Sequence, residues 1–271
     1  MRRKVLIPII IFSILLLLLI VAYSSIVSSK TIKAQLNVEK EKVYVNELEV
    51  SGNVKLREGD MIKTSAEGLA TVILYESILV ILEPDTEILI DNLAESNSVV
   101  FQKKGETWNQ LTRLLGIEDY TIKTGNSVAS VRGTGFGISE NKIIVGEGKV
   151  RYTIDGEEFL VLEGKAVEKL LDELTYRDLT ESEKQKIIAV RERIIQQLKI
   201  LRQMEIEKHK KIVGLVKKTY KITDEDIQKA FEDADEGRLD LKEMRDKSPL
   251  NLKSLEKIIQ ITELIQKIKN Y

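Results

Sequence analysis

The sequence predicts a mainly β protein with added helix: an N-terminal transmembrane helix, an antiparallel β domain built as a rolled sheet or sandwich, and a C-terminal α-helical bundle or hairpin. Three observations carry this. A 19-residue uncharged run, Val5 to Tyr23, opens the chain; short β-branched runs broken by Gly, Asn, Asp or Pro fill its middle; from about Leu170 glycine grows scarce and apolar residues recur every three or four positions. The divisions are a short cytoplasmic N-terminus at 1–4, the membrane helix at 5–23, a spacer at 24–32, the β domain at 33–169 and the helical domain at 170–271.

A helix of the first run, rising ~1.5 Å per residue, matches the ~30 Å hydrocarbon core of a bilayer. Arg2, Arg3 and Lys4 precede it, whereas Lys30 and Lys33 follow a Ser-rich spacer. The lipid bilayer is therefore the expected partner of residues 5–23, with the N-terminus inside and the bulk of the chain outside the cytoplasm. The alternative is secretion after signal cleavage, because Ala22 and Ser24 form a small-x-small pattern. Against it, the apolar stretch continues through Ile26 and Val27. Pro8, near the start, loses only a first-turn hydrogen bond.

Composition narrows the chemistry. The net charge is −1 over 271 residues, with Lys and Arg interleaved among Glu and Asp. No basic face is on offer, so nucleic acid is not an expected partner. With no cysteine and a single histidine, His209, the chain lacks a disulfide framework, thiol chemistry and a His-rich zinc site. No cofactor is expected.

Strand-like runs in the middle block include Ala70 to Leu74, Ile78 to Leu82, Glu87 to Ile90, Ser98 to Phe101 and Ile143 to Val145. A charged residue followed by glycine recurs between them at Gly59, Gly105, Gly148 and Gly164. Glycine carries no Cβ penalty at positive φ, so each of these is a turn between strands.

The ordered pieces of this block resemble the FecR-type extracytoplasmic domain. They run from Gly59-Asp60-Met61-Ile62-Lys63-Thr64 to Leu82-Glu83-Pro84-Asp85-Thr86, then Lys104-Gly105-Glu106, Val131-Arg132-Gly133-Thr134-Gly135-Phe136 and Val145-Gly146-Glu147-Gly148. The family motif falls on Gly59, Asp60, Thr64, Pro84, Thr86, Gly105, Arg132, Gly133, Thr134, Phe136, Glu147 and Gly148. One departure is Tyr75-Glu76-Ser77, where the family commonly has Asp-Gly-Ser, which leaves the turn type there open. The family's sigma-factor role needs a cytoplasmic domain, and the four residues before the apolar run are too few to fold. The resemblance thus implies the extracytoplasmic domain without the sigma-regulator activity.

Physically, Arg132 to Gly137 reads as a backbone device whose glycines permit close packing while Phe136 anchors the core. A phosphate loop would need a following helix, and strand-like residues follow instead. Arg132 is either internally paired or a clamp for a partner's carboxylate. Lys123-Thr124-Gly125 matches one motif of serine β-lactamases, but no Ser-x-x-Lys lies upstream, so it reads as a strand end. Asp85, Glu87 and Asp91 read as turn and surface carboxylates rather than an acid/base pair. Trp108, the single tryptophan, reads as core packing.

In the helical region, Thr180-Glu181-Ser182-Glu183 is a capping box that starts a helix with an apolar stripe at Ile187, Val190, Ile194, Leu198 and Leu201. Thr223-Asp224-Glu225-Asp226 and Ser248-Pro249 mark further starts. Asp233, Asp235, Asp240 and Glu243 around Gly237 resemble an EF-hand loop, one residue short of its ligand count. The competing reading is an acidic connector between helices. His209, among charged neighbours, reads as a solvated helical face.

Together these point to a non-enzymatic, membrane-anchored extracytoplasmic sensor, adaptor or scaffold that binds a protein or a cell-envelope polymer. A transmembrane signal regulator of FecR type and an envelope polysaccharide-acting enzyme are the alternatives. No nucleophile–base pair can be named for the enzyme.

Overall fold

The computed structural model describes residues 33–112, 114, 117, 119–131, 133–171, 173–242 and 253–270. Their contacts divide into a β unit, 32–201 with 260–271, and a helical unit, 202–259.

The β unit consists of two nine-stranded sheets. One holds β1 (Ala34–Lys40), β4 (Asn53–Lys55), β6 (Leu69–Leu74), β7 (Ile78–Leu82), β10 (Glu106–Leu111), β13 (Gly135–Ser139), β14 (Lys142–Glu147), β17 (Lys165–Leu170) and β18 (Glu173–Asp178). The other holds β2 (Val43–Val45), β3 (Leu48–Val50), β5 (Met61–Thr64), β8 (Glu87–Ala94), β9 (Asn97–Lys104), β11 (Tyr120–Lys123), β12 (Ser127–Val131), β15 (Lys149–Ile154) and β16 (Glu157–Leu162). The chain passes repeatedly from one sheet to the other, and inward-facing residues of both meet in one core that includes Leu36, Val72, Val80, Phe136, Ile122 and Tyr152. Strands β9 and β11 pair in parallel because β10 crosses to the opposite sheet between them.

The recurrent glycines have a sharper meaning than hairpin turns. Gly59, Gly105, Gly148 and Gly164 all take positive φ, between 77° and 89°, and each stands where the chain leaves one sheet for the other. Gly105 tolerates no side chain, since a Cβ there would lie 2.5 Å from Thr86. The hairpin turns use other residues. Tyr75 and Glu76 sit at φ 49° and 53° in a three-residue loop, 75–77, built without glycine. The Ser77 amide donates to Leu74 O at 3.0 Å and the Tyr75 hydroxyl to Leu93 O at 2.5 Å, which hold that turn in place.

Four helices occur among the described residues: α1 (Glu181–Lys208), α2 (Lys210–Tyr220), α3 (Asp224–Asp235) and α4 (Lys253–Lys269). The expected capping box of Thr180 with Glu183 forms, and the helix start expected at Thr223 proves to be a second box, with Asp226.

The expected fold class needs correction on three counts. The helix assigned to 5–23 lies outside the described residues, and among those described no helix is long and apolar enough to cross a membrane. Even α1, 28 residues long, carries charge throughout. Among the described residues the architecture is therefore a two-sheet antiparallel β fold with helices, none of which spans a membrane. Second, β structure runs on past 169 to Asp178, because Leu170 is still a strand residue paired with Glu173 and the chain turns after it, with Leu171 at φ 57°, rather than starting a helix. Third, the helices do not form one C-terminal bundle. Residues 181–201 and 260–271 belong to the β unit, since the apolar stripe of α1 buries on a sheet.

Candidate interaction surface

Most of the residues on which the resemblance was placed fall at two sheet-crossing corners. At the first, the Thr64 hydroxyl donates to Glu83 O at 2.7 Å and accepts from the Thr86 amide at 2.9 Å. Thr86 Oγ1 in turn donates to Glu106 O, 3.0 Å away, beside Gly105. Pro84 ends the preceding strand. At the second, the Thr134 hydroxyl donates to Lys149 O at 3.0 Å, and a Cβ on Gly148 would meet Gly133 O at 3.2 Å. Asp60 acts at the crossing that leads into β5, accepting from Asn46 Nδ2 and from the Arg57 amide just before Gly59. These residues fix backbone crossings, and Phe136 is a core side chain. Arg132 lies outside the described residues.

The two outer sheet faces differ in what covers them. The face of β6, β7, β10 and β14 that points away from the core lies under α1. Trp108 is buried there, with its ring flat on Gly137, where a Cβ would meet it at 2.9 Å. Gly135 likewise leaves room for the Gln110 amide. Ion pairs stitch the helix down: Lys186 to Glu106 at 2.6 Å, Arg193 to Glu83 at 2.7 Å, and Glu183 to Arg177 at 2.8 Å. The Arg177 guanidinium, aided by Thr180 and Lys142, holds the Glu183 carboxyl well below the usual carboxylate range. Glu147 accepts from Gln110 at 3.2 Å and pairs with Lys267 at 2.5 Å. The space left among Trp108, Gln110, Gly146, Ile187 and Ile268 is about 20 Å³, enough for one water molecule and no larger guest.

Among the described residues the opposite face stays open along β12, β15 and β16. Register places Thr121, Ser130, Arg151 and Leu160 in one cross-strand row, and Lys123, Val128, Thr153 and Glu158 in the next. Within this face Asp119, Ser130, Val131, Lys149, Arg151 and Leu160 line a groove. Arg151 pairs with Glu158 at 3.3 Å, both side chains largely in water, so that pair is weak. The sequence reading did not single out this face; its alternating pattern, Ser-Val-Ala-Ser-Val in β12, was the available signal.

The other candidate groups lie apart. Asp85 sits in a positive-φ turn, Glu87 pairs with Lys103 and Asp91 with Lys123, so the three carboxylates do not converge. The acidic loop is committed elsewhere: Asp233 accepts from Arg238, Asp240 accepts from the Lys242 amide, and Asp235 is buried in a bidentate pair with Arg202 at 2.5 and 2.9 Å. Glu243 lies outside the described residues. A calcium site would have to break the Arg202 pair first. His209 is not solvated as expected; it packs 3.6 Å from the buried Glu205, which also holds Lys208 and Lys257. Burial pushes the Lys257 amine down to about 8.

No protein-family model and no curated protein sequence matches the chain. Two crystal structures of a "putative anti-sigma factor" from Parabacteroides distasonis are similar, each with a TM-score of 0.39 and 16% identity over 44% of this chain. The match spans 59% of the length of those chains. At that level the similarity carries neither fold nor function to this protein.

Proposed function

We propose that this protein is a non-enzymatic binding protein, an adaptor or scaffold whose β unit is of FecR type and recognises another macromolecule through its open sheet. The observation that carries the reading is the asymmetry of the two outer faces. One is sealed by α1 with its charges paired; the other presents exposed Ser130, Arg151, Leu160 and Leu162 on a rigid ladder. A flat face that mixes hydroxyl, guanidinium and aliphatic groups suits an extended protein segment. Glycosidase chemistry uses a pair of carboxylates, whereas the described lining of the groove holds Asp119 alone.

Photo-crosslinking residues placed at Ser130, on the open face, and at Gln196, on the exposed side of α1, test this. Crosslinks to a discrete protein from position 130 and few from position 196 are expected. Equal yields from both, or release of fragments from envelope polysaccharide by the purified chain, would overturn the reading.

A further inference from the structure

We propose that β16 is a docking strand that takes an extended segment of another protein, apolar at its centre and basic toward its ends. This rests on the binding role proposed above and locates it. β16 is the edge of its sheet. The two-residue turn Asp155-Gly156, at φ 49° and 85°, makes Ile154 and Glu157 a hydrogen-bonded pair. By alternation, the backbone groups of Phe159 and Val161 then also point to β15, and those of Glu158, Leu160 and Leu162 point outward. The Leu162 amide does face outward, reaching the Tyr176 hydroxyl at 3.4 Å.

Protein edges are commonly blunted by a proline, a bulge or an inward charge. β16 pairs with β15 in unbroken register and runs Phe-Leu-Val-Leu. Leu160 is 56% exposed and Leu162 47%. Of the eight large apolar residues exposed among those described, five lie between 160 and 176: Leu160, Leu162, Leu170, Leu171 and Tyr176. A concentration of that kind marks an interaction surface. Charge selects the occupant. Glu157 and Glu158, the latter in a weak, water-exposed pair with Arg151, precede the apolar run, Glu163, which accepts from the Gly148 amide, follows it, and β16 contains no base. Basic ends on an incoming strand meet these acids, whereas a second copy paired about Leu160 would set Glu157 against Glu163.

Selection of displayed random peptides of about twelve residues against the full chain tests the assignment. Enriched sequences should carry alternate apolar residues flanked by Lys or Arg. A synthetic member should bind Leu160→Pro about tenfold more weakly. Proline there deletes an outward N–H and no ladder bond, so circular dichroism should be unchanged. A Glu157→Lys, Glu158→Lys variant should produce a similar loss with the backbone intact. Acidic enriched peptides, equal binding to both variants, or a dimer in sedimentation that Leu160→Pro dissociates would overturn the proposal. Peptides lost on Ser130→Tyr but not on Leu160→Pro would sink the docking strand and keep the binding role; no enrichment at all would sink both.

Discussion

Strands β7 and β12 lie in opposite sheets and show what a covering helix does to a sequence. β7 reads Ile-Leu-Val-Ile-Leu and is buried at every position; β12 reads Ser-Val-Ala-Ser-Val and is buried at every second one. Both send one side into the shared core, so the difference lies wholly on the outer face. Where α1 lies over the sheet, each strand has two dry sides and the period-two signal vanishes. On the other sheet the alternation survives, because water meets one side. A continuous apolar strand in an otherwise alternating protein thus points to a second covering layer.

The sharpest way to break this contrast is Trp108→Ala. The indole fills the space between β10, Gly137 and α1, and its removal leaves a cavity that the surrounding strands cannot close. A loss of about 4 kcal/mol in urea unfolding, followed by far-ultraviolet circular dichroism, is expected. A loss below 1 kcal/mol would mean that α1 does not seal this face. Gly137→Ala attacks the same contact from the backbone, forcing a methyl against the ring at 2.9 Å. Overpacking of this kind should cost about 2 kcal/mol, and pairing it with Trp108→Ala should recover most of that.

Glu183→Gln tests the polar half of the seal. Its carboxylate joins the cap of α1 to Arg177, so the neutral amide should cost about 2 kcal/mol at neutral pH. Arg177, first among its partners, depresses the folded-state value below the ordinary 4.5. The stability it contributes is therefore present above about pH 4.5 and lost as pH falls through the folded value. Unfolding against pH should show the parent weakening below that point and the variant changing less. Identical profiles would exclude Glu183 from acid unfolding.

Much of this was legible in the residues. The capping box at Thr180, the helix start at Thr223, the stripe from Ile187 to Leu201, the burial of Trp108 and the strand texture of the middle block follow from local rules that the structure obeys. The charged-residue–glycine recurrences were visible as turns, yet their role as sheet crossings depends on which hairpin joins which sheet, and no local pattern records that. The stripe on α1 announced burial without naming its partner; a sheet and another helix demand the same periodicity. Likewise, Asp233 and Asp235 read as free carboxylates until Arg202 and Arg238, one of them 33 residues away along the chain, arrive beside them. Among the residues that carried the resemblance, Thr64, Thr86 and Thr134 work as backbone hydrogen-bonding groups, which leaves a ligand unnamed.

The smallest effect makes the most selective test. Val128 stands on the open face of β12, 37% exposed, beside Lys123 and Thr153 in the ladder. Val128→Thr keeps the β-branched shape and places a hydroxyl where water already reaches, so stability should move by no more than about 0.5 kcal/mol. Ile81→Thr makes a comparable change on the helix-covered face of β7 and buries the same hydroxyl, which should cost about 2 kcal/mol. A large loss at Val128 would show that another part of the chain or a second copy covers this face in solution. The recognition surface would then have to be sought at β16 alone, whose outward backbone groups do not depend on the face being bare.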